Sequence, residues 1–275
     1  MTGCQTLPEL AEADAPADIA KIYQALRRLS GAPMVALIWR HLATYPDVLP
    51  KAWSALEPLF RAGAIQEAAW RSAAHGVVAP AAQVTRARLA AAGLDTADQE
   101  AFVRVLDAYN RANPVNFVGV RLLLRAIRGE VGGQSVDMRA WTPPPAISGL
   151  ARMASIGEFL PDHRRMIDAL SSSDQVDRSR VVPSLYRHLT GWPALIPLIH
   201  ADLEGRFQSG EIARAVGAVA LAMDREVQSL SAFMPTLDAL QAHDGVTETL
   251  ERFSSLIPEM VTVGLLLRRG IDGEG

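Results

Sequence analysis

The sequence predicts an all-α protein made of two copies of one helical unit. Three observations carry that expectation. Apolar residues recur at helical spacing along the chain. No alternating β-branched run bounded by hairpin turns interrupts them. One stretch of the first half repeats in the second. Val35–Ala68 aligns with Val182–Ala215 without a gap, at the constant offset that carries Arg40 onto Arg187, with 12 identities in 34 positions. The identities include Arg40/Arg187, His41/His188, Leu42/Leu189, Pro46/Pro193, Leu56/Leu203, Glu57/Glu204, Phe60/Phe207 and Gly63/Gly210.

The elements follow in order. Pro16 suits a first helical position, Ile19, Ile22, Tyr23, Leu26 and Leu29 mark one face, and Gly31 suits the stop. Val48, Leu49, Trp53, Leu56 and Phe60 keep the same period up to Gly63. Thr96 and Gln99 fit a capping box ahead of Phe102, Val105, Leu106 and Tyr109. Asn113-Pro114 reads as the cap and first residue of a further helix, running into Leu122-Leu123-Leu124-Arg125. That apolar string returns as Leu265-Leu266-Leu267-Arg268, at a slightly shorter offset than the first motif, so the halves differ by a small indel. Between them, GEVGGQSVDMRAWTPPPAISG is too rich in glycine and proline for a helix. The expected organisation is a first repeat over 8–129, a linker over 130–149 and a second repeat over 150–271. A pseudo-dimer of this kind builds a cleft between its halves, and clefts at such interfaces commonly hold small ligands.

Composition excludes several functions. The chain has 275 residues, 49% hydrophobic and 21% charged, with a net charge of −3. That balance is globular and offers no basic surface for nucleic acid. Cys4 is the single cysteine, so no internal disulfide and no Cys-x-x-Cys pair exists. His75, His163, His200 and His243 stand singly, without metal-ligand spacing, so no metal site is expected. Ser171-Ser172-Ser173 has no nearby histidine and reads as a loop. No Gly-x-Gly-x-x-Gly is present to cradle a nucleotide, so no cofactor is expected. The acidic N-terminus has no signal-peptide pattern, and no apolar run reaches the ~20 residues of a membrane span. The expected setting is the cytoplasm, away from membranes and nucleic acid. A homodimer stays open.

The repeated motif resembles a known family. Pro33, Val35, Trp39-Arg40-His41-Leu42, Tyr45-Pro46 and Trp53 carry it in the first half; Val182, Tyr186-Arg187-His188-Leu189 and Trp192-Pro193 carry it in the second. This pattern is similar to the group I 2-haloacid dehalogenases, also labelled halocarboxylic acid dehydrogenases. The resemblance implies an all-helical pseudo-dimer with a buried site between the repeats. It implies displacement of halide from a 2-haloalkanoate with inversion, by an activated water, without cofactor or metal. It matches Met34 and Leu37 to the apolar pocket wall and Asn113 to an active-site asparagine. In the active enzymes a water-activating aspartate directly precedes the second-repeat Tyr-Arg, in a Ser-Asp-Tyr-Arg string. Here the string is Ser184-Leu185-Tyr186-Arg187, and leucine cannot take a proton. Ile38 is its first-repeat equivalent, and on residue type alone both read as core. No catalytic residue is assigned at the base position. His188, one turn from Ser184 on the same helix side, is the candidate replacement. Its match to His41 gives a structural alternative, in which both histidines bond Glu57 and Glu204. Arg40 and Arg187 have the same two readings, as carboxylate ligands or as partners of those glutamates.

The Gly-[Ala/Glu]-Ile step after the second long helix is also similar to the alkylhydroperoxidase-like helical domains, whose peroxidase chemistry needs the Cys-x-x-Cys pair absent here. Three functions follow. The first is a dehalogenase-like hydrolase acting on a small 2-substituted carboxylate with a rearranged base. The second is a binding protein that keeps the cleft without the chemistry. The third is a helical interaction module with no small ligand.

Overall fold

The computed structural model describes residues 7–74, 79–137, 140–170, 182–241 and 243–273. Cys4, His75 and Ser171–Ser173 lie outside them. The described residues form helices and connecting segments, without strands. The first half contributes α1 (Ala17–Ser30), α2 (Leu37–Leu42), α3 (Val48–Arg61), α4 (Ala64–Ala73), α5 (Arg86–Ala91) and α6 (Thr96–Ile127). The second contributes α7 (Pro161–Ala169), α8 (Ser184–Leu189), α9 (Leu195–Gln208), α10 (Glu211–Leu230), α11 (Asp238–Gln241) and α12 (Val246–Asp272). Helices α8 and α9 begin and end at the repeat equivalents of the ends of α2 and α3, and α10 begins at the equivalent of the start of α4. Backbone bonds run in parallel too. The Arg40 carbonyl accepts from Leu10 N–H at 3.0 Å, and the Arg187 carbonyl accepts from Ala154 N–H at 3.2 Å.

Two hydrophobic cores form, and each draws on both halves of the sequence. One gathers α1, α3, α4 and the C-terminal part of α6 with Met223 and Val227 of α10 and Leu250, Ile257 and Val261 of α12. The other gathers Phe102, Val105 and Leu106 of α6 with α8, α9 and the C-terminal part of α12, from Met260 to Ile271. Helices α6 and α12 therefore lie along one another, each giving one end to each core.

Helix starts differ from the sequence expectation at three places. Pro16 is the residue before α1 rather than its first residue. Asp95 caps α6, its carboxylate accepting from Asp98 N–H at 2.8 Å, so Thr96 is the first helical residue. Asn113-Pro114 starts no helix: both lie inside α6, which runs unbroken from Thr96 to Ile127. The proline ring removes the bond to the Asn110 carbonyl. Burial of both flanks compensates, since Ala108, Tyr109 and Ala112 before it and Val115–Val120 and Leu122–Leu124 after it are buried. Asn110 Nδ2 also donates to the Gly264 carbonyl of α12 at 3.1 Å, tying the helices together beside the proline. Packing outweighs the local signal.

The glycine- and proline-rich connector forms no helix over 130–137 and 140–149. Gly132 N–H donates to Ser231 O at 3.1 Å, Ile147 N–H to Gly31 O at 3.1 Å, and Arg111 to Pro145 O at 2.6 Å. Gly63, at φ 72°, turns α3 into α4, and a Cβ there would enter the ring of Trp141 from the connector. Gly63→Ala should therefore cost about 1–3 kcal/mol through left-handed strain alone, and more through displacement of Trp141. Denaturant unfolding of the two proteins measures this. Equal midpoints would refute both costs.

Candidate functional site

The first turns of α2 and α8 and the middles of α6 and α12 surround a cavity of about 160 Å³. Its walls come in matched pairs. Val35–Ile38 of the first half are the repeat equivalents of Val182–Leu185 of the second. Tyr109, Ala112, Asn113 and Asn116 on α6 have the same mutual spacing as Phe253, Leu256, Ile257 and Met260 on α12. Within each long helix these positions are spaced three and four apart, so one face of each looks inward. The two faces differ in chemistry. The α6 wall carries a phenol and two amides; the α12 wall is wholly apolar.

The sequence-predicted residues Met34, Leu37, Asn113, Ser184, Leu185 and His188 all line this cavity. Asn113 reaches it from mid-helix and not as a cap, because its helix passes the cavity instead of starting there. Leu185 and Ile38 are each 1% exposed and face the same space from α8 and α2.

The Tyr109 hydroxyl and His188 Nδ1 are hydrogen-bonded at 2.9 Å. Burial pushes the Tyr109 phenol well above its ordinary value, against the pull of its Ser184 hydrogen bond and the Arg187 and Arg40 charges. Burial also holds His188 below the usual imidazole range, with bonds to the Ser184 and Ala151 backbone working the other way. His188 is therefore neutral near pH 7. At mildly acid pH the unfolded histidine, near ~6.5, binds more protons than the folded one. Stability from this residue is full above that value and is lost as pH falls from there through the lower folded-state pKa. Urea unfolding at pH 7, 6 and 5 should show that decline, and His188→Gln should reduce its slope. An unchanged slope would refute it.

Glu12 is the carboxylate among the described lining residues. It accepts from Val35 N–H at 2.9 Å and pairs with Arg27 at 3.1 Å, so it serves the start of α2. Arg40 is also in the wall. It pairs with Glu9 at 3.0 Å, while Glu57 takes Arg61. The expected Arg40–Glu57 pair does not form, because Glu57 lies on the same helix as Arg61, one turn away. Nor does Arg187 meet Glu204. Its Nε donates to the Ala154 carbonyl at 3.1 Å, and Glu204 faces His200 and Gln208 of its own helix. The histidines also have other partners: His41 Nδ1 meets the Pro8 carbonyl at 2.6 Å, and His188 meets Tyr109. For the two arginines and the two histidines the partner comes from a distant segment, which residue spacing could not reveal.

Asn116 and the α12 wall are among the lining residues that sequence reasoning missed. Asn116 accepts from the Trp39 indole N–H at 2.8 Å and is 7% exposed. Its signal was its place on one helical face with Tyr109 and Asn113, hidden by reading Pro114 as a helix start. Met260 and its α12 neighbours carried only a core signature. Among the described residues, no three His, Cys, Asp or Glu side chains group to hold a metal ion. No described helix is long and apolar enough to cross a membrane.

The comparisons find the same fold in known proteins. Residues 33–194 match the family described as halocarboxylic acid dehydrogenase DehI. The chain belongs to that family. It is 29% identical over 216 residues to a configuration-inverting 2-haloacid dehalogenase of Alcaligenes xylosoxydans xylosoxydans, covering 72% of this chain and 69% of that protein. Among solved structures it is similar to a D-2-haloacid dehalogenase mutant in complex with D-2-CPA, at TM-score 0.73 and 18% identity. It is also similar to a D-2-haloacid dehalogenase in complex with L-LA, at TM-score 0.70 and 19% identity. Both matches cover 96% of this chain and 94% of the other.

Proposed function

We propose that this dehalogenase-family protein binds a small 2-substituted carboxylate in the cavity between its halves and releases halide poorly or not at all. The observation that carries this reading is the side chain of Leu185, buried in the cavity wall at the position where the family resemblance expects the water-activating aspartate. Loss of a general base typically lowers rate by ~10²–10⁴. Glu12 is bound to the start of α2 and to Arg27, and His188 is engaged with Tyr109, so neither stands free beside the cavity as a substitute. The curated relative's name supports the substrate class.

In the same reading the halves, over 8–129 and 150–271, are related by a pseudo-twofold axis, with 130–149 joining them. The equal offsets of α2/α8 and α3/α9 and the paired cavity walls support that relation. The formed cavity favours a ligand-binding protein over a helical interaction module. Halide release from racemic 2-chloropropionate and thermal shifts with small carboxylates test the reading together. The expected result is a raised melting temperature with carboxylates and no halide above background. Fast halide release by the native chain would overturn it. So would the lack of a thermal shift with every carboxylate tried.

A further inference from the structure

The amide of Asn116 has a fixed direction. An indole N–H can only donate, so the Asn116 atom 2.8 Å from Trp39 Nε1 is the oxygen. Turning the amide over would set N–H against N–H. The Asn116 NH₂ therefore faces away from Trp39. It makes no hydrogen bond among the described residues, although Asn116 is 7% exposed and lines the cavity. Buried amide donors are normally satisfied, and one left open in a cavity wall is suited to a ligand acceptor. Across the cavity, Phe253, Ile257 and Met260 offer only apolar surface.

We infer that Asn116, oriented by Trp39, is a binding residue that seats the carboxylate of the ligand at the α6 wall, leaving the 2-substituent against Phe253, Ile257 and Met260. This rests on the carboxylate-binding reading above and adds the ligand's orientation to it. Trp39 is the positioning residue: it touches Asn116 and holds its donors toward the ligand.

Asn116→Asp tests the inference because it keeps an oxygen for the Trp39 indole and replaces the donor with a negative charge. Binding of 2-chloropropionate, of propionate and of neutral 2-chloropropionamide is measured by calorimetry at pH 8 for both proteins. The inference expects roughly ten- to a hundredfold weaker binding of the two carboxylates, the scale of a lost hydrogen bond to a charged group, with the amide much less affected. A structural Asn116 would leave all three unchanged. A folded variant that binds the carboxylates within twofold of wild type overturns the inference and leaves carboxylate binding standing. A wild type that binds neither carboxylate overturns both. Should the variant not fold, the wild type decides by NMR. The side-chain NH₂ resonances of Asn116 are expected to shift as 2-chloropropionate saturates the protein, and resonances that stay fixed overturn the inference.

Discussion

Leu185→Asp should create halide release from 2-chloropropionate, where none above background is expected of the native protein. The argument runs from position to chemistry. Residue 185 is the second residue of α8, and its side chain faces the cavity beside Ser184 and Tyr109. An aspartate there would sit in the first helical turn, where the unpaired N–H groups favour negative charge. Burial pulls the other way and raises its pKa, which moves a carboxylate toward the range useful for a general base near neutral pH. The expected gain is ~10²–10⁴ in rate over the native chain, or about 3–5 kcal/mol of barrier. The change also costs stability, because a side chain 1% exposed becomes a group that needs hydration. Chloride release and a melting curve on the same preparation separate the two effects. A folded variant that binds the acid without turnover would show that the wall lacks more than a base. A folded variant that neither binds nor turns over would show that the pocket has diverged more widely, and would favour the binding-protein or scaffold reading.

Trp39→Ala should be the most damaging single truncation near the site. Trp39 is 2% exposed, its ring lies against Gly119 of α6, and its indole N–H satisfies Asn116. Removing a buried tryptophan typically costs about 3–5 kcal/mol. The substitution also strands the Asn116 oxygen, which adds to that cost. Trp39→Phe keeps most of the packing and loses only the N–H, so it should cost far less. Guanidinium unfolding of the three proteins orders them. A phenylalanine variant as unstable as the alanine variant would show that the hydrogen bond, and not the volume, matters most.

Local regularity made much of the helical fold legible. Ile19, Ile22, Tyr23, Leu26 and Leu29 all fall on the buried face of α1, and Gly31 ends it at φ 64°. Gly63 and Gly210 both turn at φ 72°, in keeping with the repeat that pairs them. The errors arose where distant segments compete with a local signal. Pro114 is a strong helix-start residue by itself, yet α12 packed along α6 keeps the helix continuous. Arg40 and His41 find their partners, Glu9 and Pro8, in the N-terminal segment. Of the site, the repeated motif brought out Met34, Leu37, Ser184 and Leu185, which sit in or beside it, and the Asn-Pro string brought out Asn113. Asn116 has no such label, and its role depends on an indole far earlier in the chain.

The two long helices that each serve both cores also govern how the protein comes apart. A chain cut after residue 129 would keep α6 but leave Phe102, Val105 and Leu106 without the α8, α9 and α12 surfaces that bury them. The remaining half would in turn expose Leu250, Ile257 and Val261. Neither half is a self-sufficient folding unit, and loosening one core withdraws support from the other. Such interlocking favours a single cooperative melting transition, in which the ligand cavity is lost together with the whole molecule and not by the opening of one lobe.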